Sequence, residues 1–134
     1  GLFMELTRSV YYHGKSGRET MNRIMENIRS NPPEVVDGMP VQKVIDRKTN
    51  EIKTANGSVI GKVDQHAGNV MQFYFDESGQ NRITARPSGT EPKIKFYAQL
   101  WKPIPETFTD QDIENERQEL IKRAKVLIDV IASE

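Results

Sequence analysis

Cysteine is absent from the 134 residues, and that absence removes disulfides, thiolate metal sites and cysteine nucleophiles together. It fits a reducing, cytoplasmic setting. Histidine is scarce: His13 and His66 stand alone, with no second ligand at a spacing that suits a metal, and read as surface or loop residues. No apolar run approaches the ~18 residues of a membrane span, and no signal peptide is visible, so no membrane partner is expected. There is no excess of charge of one sign. Nineteen basic residues balance nineteen acidic ones and no basic tail is present, which argues against a nucleic-acid partner. What remains is ordinary. The 36% hydrophobic and 28% charged fractions suit a folded globular chain. The length suits one domain that buries roughly two thirds of its unfolded surface. The chain opens mid-pattern at Gly1-Leu2-Phe3 without an initiator Met, so it reads as a piece of something longer.

Periodicity sets out the elements. Leu2, Met4, Leu6, Val10 and Tyr12 alternate as in a strand, although Leu2, Leu6 and Val10 also fit one helical stripe. Ser16 with Glu19 reads as a capping box. It opens a helix over about 17–30 whose stripe is Met21, Ile24, Met25 and Ile28. Asn31-Pro32-Pro33 ends it, because Pro disfavours helical geometry in the residue before it. A strand is expected over Val41 to Arg47. Asn56-Gly57 signals a hairpin between 51–54 and 58–63, or else an exposed excursion. Three alternating runs follow, with inward sets Met71, Phe73 and Phe75, then Ile83 and Ala85, then Ile94, Phe96, Ala98 and Leu100. Ser78-Gly79 turns the first run into the second. The opposite face carries Arg82, Thr84, Arg86, Lys93, Lys95 and Gln99, so the sheet has one dry face and one wet, locally basic face. Thr109 with Asp112 starts a second helix that runs to about Ala132 on Ile113, Leu120, Ile121, Ala124, Leu127, Ile128 and Ile131. Asp110, Asp112, Glu114 and Glu116 complement its dipole and lack the glycine of a calcium loop. The fold class is α+β: an antiparallel-rich sheet with two helices packed on its dry face.

Two motifs suggest phosphate. Gly14-Lys15-Ser16 has the ending of a nucleotide-binding P-loop, but that pattern needs glycine where Ser9 stands, so a turn and helix cap is the better reading. Arg86-Pro87-Ser88-Gly89-Thr90-Glu91-Pro92, leading into Lys93, is stronger. It joins two strands and offers a guanidinium, two hydroxyls and a glycine that permits close approach and positive φ, so that successive amides can converge on an anion. Pro87 and Pro92 reduce the entropy lost on ordering it. The plain alternative is a solvated turn whose Arg86 pairs with Glu91.

The string 86–93 and its entry into Ile94–Tyr97 resemble the phosphate-binding loop in the C-terminal domain of the α-D-phosphohexomutases, the phosphoglucomutases and phosphomannomutases. Gly14 to Gly17, Ile24-Met25, Arg29, Asn31-Pro32-Pro33, Asp37-Gly38 and Asn69 to Phe73 also resemble that region, in order, so the likeness covers most of 14–102. It implies a TATA-box-binding-protein-like α+β fold, with 14–134 as the C-terminal phosphate-binding domain and 1–13 as the trailing strand or hinge of a preceding one. It also implies a parent enzyme that moves phosphate between the C1 and C6 oxygens of glucose or mannose through a bisphosphorylated intermediate, with a phosphoserine and Mg²⁺. In that family this loop holds the phosphate that is not reacting. Carried over, Arg86 would pair with it, Ser88 and Thr90 would donate hydroxyls, Gly89 its amide, and Lys93 would assist. Tyr97 and Trp101 could stack on the sugar or pack against the preceding domain. No segment here resembles the family's phosphoserine loop, its Asp-x-Asp-x-Asp metal run or its sugar-recognition loop. The phosphosugar and the preceding domains are therefore the expected partners, and Mg²⁺ is expected on another domain. These residues are expected to be inert alone. A free-standing phospholigand-binding module is the alternative.

Overall fold

A computed structural model describes residues 1–64 and 68–133; His66 lies outside them. Among the described residues, nine strands and two helices follow in the order β1 (Leu2–Tyr11), α1 (Gly17–Ser30), β2 (Val35–Val36), β3 (Met39–Pro40), β4 (Lys43–Asp46), β5 (Glu51–Lys53), β6 (Val59–Lys62), β7 (Met71–Tyr74), β8 (Arg82–Pro87), β9 (Lys93–Lys102) and α2 (Asp110–Ala132). Seven strands form one antiparallel sheet in the order β1-β9-β8-β7-β4-β5-β6. The fold is α+β, with both helices on one face of that sheet.

The alternation of each long strand explains its burial. Ile83 and Ala85 of β8 and Ile94, Phe96, Ala98 and Leu100 of β9 are buried, and so are Met71 and Phe73 of β7 with Phe75 just beyond it. They meet Met21, Ile24, Met25 and Ile28 of α1 and Ala124, Leu127, Ile128 and Ile131 of α2 in one core. Of residues 2–12, Leu2–Tyr11 are a strand and not a helix, with Tyr12 just beyond its end. All ten residues of β1 pair with β9, from Leu2 opposite Lys102 to Tyr11 opposite Lys93, and α2 packs across both strands.

Helix α2 starts on a complete capping box. The Asp112 amide donates to Thr109 Oγ1 at 3.1 Å and the Thr109 amide to Asp112 Oδ2 at 3.0 Å. Helix α1 does not. Ser16 has φ −95° and ψ 10°, outside the extended geometry that aims a cap oxygen at the first turn, and its side chain makes no cap hydrogen bond. The chain turns instead on backbone bonds, from the Gly17 amide to the Gly14 carbonyl at 3.2 Å and from the Thr20 amide to the Ser16 carbonyl at 2.9 Å. This corrects the capping-box expectation, while the bounds 17–30 stand.

The strand expected over 41–47 is shorter, and a small hairpin of β2 and β3 precedes it. Its turn is Asp37-Gly38, both at positive φ (45° and 79°). That is the chemistry of a tight hairpin turn, so Asp-Gly was the signal for it. Residues 51–62 also form a hairpin, β5 to β6, with Val59 and Ile60 exposed at the sheet edge.

Candidate functional site

Strand register sets out the wet face in rows. Arg86 of β8 lies opposite Lys95 of β9, Thr84 opposite Tyr97, and Arg82 opposite Gln99. On the other side of β9, Tyr11 lies opposite Lys93, Thr7 opposite Tyr97 and Glu5 opposite Gln99. Because each residue has a register partner on the same face, the cations Arg86, Lys93 and Lys95 converge at the end where β8 turns into β9.

There a concavity of 290 Å³ is lined by Arg86, Pro87, Ser88, Gly89, Lys93, Lys95 and Tyr97. A larger cavity of 520 Å³ runs along α1 between Arg23, Ile24, Glu26, Asn27, Ser30 and Asn31, where no charge of one sign converges. The Arg86 concavity is the one with directed chemistry. The Arg86 side chain is exposed and makes no ion pair or hydrogen bond to a described residue. Glu91 pairs with Lys93 instead, at 3.8 Å. The solvated-turn alternative, with Arg86 held by Glu91, is not what forms.

The loop is held open from within. Ser88 Oγ accepts the Thr90 and Glu91 amides, each at 3.2 Å, and lies 3.3 Å from Thr90 Oγ1. The Ser88 amide donates to the Lys93 carbonyl at 2.9 Å, and the Lys93 amide to the Glu91 carbonyl at 2.8 Å. This corrects one expectation. Gly89 is not at positive φ, and a side chain there would meet only open space. The backbone therefore forms no left-handed nest of converging amides; the amides of 90 and 91 are used on Ser88, and the Gly89 amide is unclaimed by a described residue. With two amides on its lone pairs, Ser88 can act further only as a donor, and its proton points to Thr90 Oγ1 at 3.3 Å.

Of the residues singled out from sequence, Arg86, Ser88, Gly89 and Lys93 line one concavity and Thr90 does not. Lys95 belongs with them and was missed as a site residue. Its signal was present, since alternation puts it on the face of Arg86 and Lys93. Tyr97 lines the concavity under Lys95, whose Nζ is 5.5 Å from the ring centre. Trp101 sits at the far end of β9, against the backbone of Gly1. Gly14 is the turn before α1 and lies outside the site, so no P-loop forms.

The base of the loop is tied to α1. The Tyr12 amide donates to the Pro92 carbonyl at 2.8 Å. Gly17 packs so closely on the Tyr12 carbonyl, with Pro92 beside it, that a side chain at 17 would overlap that oxygen.

At the other end of β8, Asp76 organises the turn from β7. Its Oδ1 accepts from the Gly79 amide at 2.6 Å, the Ser78 hydroxyl at 3.0 Å and the Gln80 amide at 3.1 Å, and its Oδ2 from the Asn81 side chain at 2.7 Å and the Asn81 amide at 3.1 Å. Partial burial pushes the Asp76 carboxyl up, but the hydrogen bonds from Asn81, Ser78 and Gly79 outweigh it, so its pKa lies below the ordinary carboxylate value. Among the described residues, no three His, Asp or Glu side chains stand together as a metal site, and no helix is long and apolar enough to cross a membrane.

No protein-family model matches the chain. It is homologous to the phosphoglucomutases of Staphylococcus aureus. It is 38% identical over 90 residues to those of strains bovine RF122 / ET3-1 and MRSA252, and 37% identical over 90 residues to that of strain N315. Each match covers 67% of this chain and 16% of the relative, so the matched part is about a sixth of those proteins.

Proposed function

On the strength of this homology to phosphoglucomutase, we propose that the chain is the C-terminal domain of a phosphoglucomutase or phosphomannomutase, and that its loop holds the non-reacting phosphate of a phosphosugar. The observation that carries this reading is the Arg86 guanidinium, unpaired among the described residues, beside Lys93 and Lys95 in one concavity. Arg86 would take two phosphate oxygens in its fork. Ser88 would turn its hydroxyl proton from Thr90 to the phosphate, and Gly89 would donate its amide. Lys93 and Lys95 would add charge, and Thr90 would join by turning its hydroxyl away from Ser88.

The role is positioning. Fixing a remote phosphate holds the reacting oxygen in place and spends remote binding energy on orientation. When bound in the parent enzyme, Mg²⁺ would stabilise charge on the transferring phosphoryl group; no described cluster here suits it, and it belongs in this reading to another domain. The phosphoserine also belongs elsewhere. Residues 1–13 are read as the trailing strand or hinge from the preceding domain. The isolated chain is then a binding domain without catalytic power.

Its affinity alone is modest. Three or four charge-assisted bonds of ~1.5–3 kcal/mol work against an association cost of about 4–15 kcal/mol. A surplus of about 4 kcal/mol corresponds to a Kd of order 1 mM. Calorimetric titration with inorganic phosphate tests it: saturable binding on that scale, lost in Arg86→Ala and weakened in Arg86→Lys, is the expected result. A Kd that is unchanged in Arg86→Ala would refute the assignment. The 134 residues are also expected to show no conversion of glucose 1-phosphate to glucose 6-phosphate, and measurable turnover by the purified chain would contradict that.

A further inference from the structure

We infer that the sheet face adjoining the Arg86 concavity is a subsite for the hydroxyl-bearing body of the ligand, an inference that rests on the phosphate reading above. A second cavity, of 250 Å³, opens on the same face, and its polar lining is Glu5, Thr7, Arg82, Thr84, Tyr97 and Gln99. The two cavities meet at Tyr97, which lines both. Along β8 the rows step from Arg86 to Thr84 to Arg82, and each step is about 7 Å, two residues of strand rise. A phosphate at Arg86 thus places the group it esterifies over the Thr84–Tyr97 row, with the Arg82–Gln99 row beyond.

The lining fits a neutral polyol better than a second anion. Arg82 Nε is buried and finds no acceptor among the described residues; its guanidinium only stands over the Tyr74 ring, 5.9 Å from the centre. A buried donor without an acceptor is costly, and a small turn of the Arg82 guanidinium, which has no ion-pair partner among the described residues, would bring it to a ligand oxygen. In the same row, Glu5 accepts the Gln99 side-chain amide at 3.1 Å and retains acceptor capacity for hydroxyl protons. Thr84 Oγ1 accepts from Gln72 Nε2 at 3.3 Å, which leaves its own proton to donate. A phosphate would be repelled by Glu5. A sugar hydroxyl, both donor and acceptor, can serve guanidinium, carboxylate and threonine alike.

The test compares three ligands on the isotopically labelled 134-residue chain, with affinities read from saturating amide shifts: inorganic phosphate, methyl phosphate and glucose 1-phosphate. Glucose 1-phosphate is expected to bind about tenfold tighter than methyl phosphate, the yield of two or three net hydrogen bonds, and to shift residues 82, 84 and 99 as well as 86–93. Arg82→Met is expected to bring that ratio towards one while leaving inorganic phosphate affinity unaltered. Thr84→Val, nearly isosteric, reports the same loss should Arg82→Met fail to fold. Equal affinity for the two esters, or a ratio that survives both substitutions, overturns the subsite and leaves the phosphate reading standing. Failure of inorganic phosphate itself to bind removes the phosphate reading, and the subsite falls with it.

Discussion

Asp46 has no solvent exposure, and what compensates its charge is local and specific. Arg29 Nε donates to Oδ2 at 3.1 Å, the Lys48 amide donates to Oδ1 at 3.0 Å, and the same arginine reaches Asn69 Oδ1. The network joins the end of α1 to β4 and to the approach to β7. Removing one member of a buried pair leaves the other uncompensated, so Asp46→Ala is expected to cost about 3–5 kcal/mol, read from urea midpoints, with the double variant Arg29→Met, Asp46→Leu losing less. Asp76 supplies a pH signature. Its folded pKa is depressed, so its contribution is fully present above the unfolded value of about 3.9 and is lost as pH falls through the lower folded value. Asp76→Asn is therefore expected to destabilise by about 1–3 kcal/mol at neutral pH. The difference should shrink below the folded pKa; a difference that stays constant on acidification contradicts the assignment. At this scale the candidate site was largely legible, because its groups are contiguous in sequence and their chemistry is written in their types. The loop's internal bonding was not. That Ser88 takes the amides of 90 and 91 depends on a backbone path that composition leaves open, as does the choice of Glu91 for Lys93 over Arg86. Arg29 and Asp46 are seventeen residues apart with no motif linking them.

Elements were legible where the signal is local. Alternation marked β1, β7, β8 and β9, and the 3.6-residue stripe marked both helices almost to their ends. The order of strands was not, because pairing is decided by contacts distant in sequence: β1 closes on β9 and β4 inserts beside β7. The Ser16 cap failed for a related reason. The side-chain pattern fitted a cap, but tertiary packing decided the geometry. Gly17 is drawn onto the Tyr12 carbonyl and Pro92, and the backbone at Ser16 follows. This contact couples α1 to the loop that carries the candidate site. Gly17→Ala should force the two apart, costing about 1–3 kcal/mol of stability and weakening phosphate binding, whereas a distant surface alanine substitution should do neither. Unchanged phosphate affinity in a folded Gly17→Ala variant would show that the helix does not support the loop.

For the molecule as a whole, one side of the sheet is committed to the core, and the other presents a row-by-row polar surface whose two β8 arginines, Arg82 and Arg86, have no ion-pair partner among the described residues. That division of labour is what a domain needs if it lends a binding surface to chemistry performed elsewhere. It agrees with a match confined to about a sixth of each phosphoglucomutase. In the proposed reading, the weak affinity expected of the chain alone has a purpose, because closure of further domains on a half-held ligand would add the remaining contacts and exclude water. The most direct measurement is the response of individual amides to inorganic phosphate in the labelled chain. Saturable shifts at Ser88, Gly89 and Lys93, with a midpoint of order 1 mM and abolished by Arg86→Ala, are the expected result. Shifts spread evenly over the basic surface and unaltered by that substitution would contradict it.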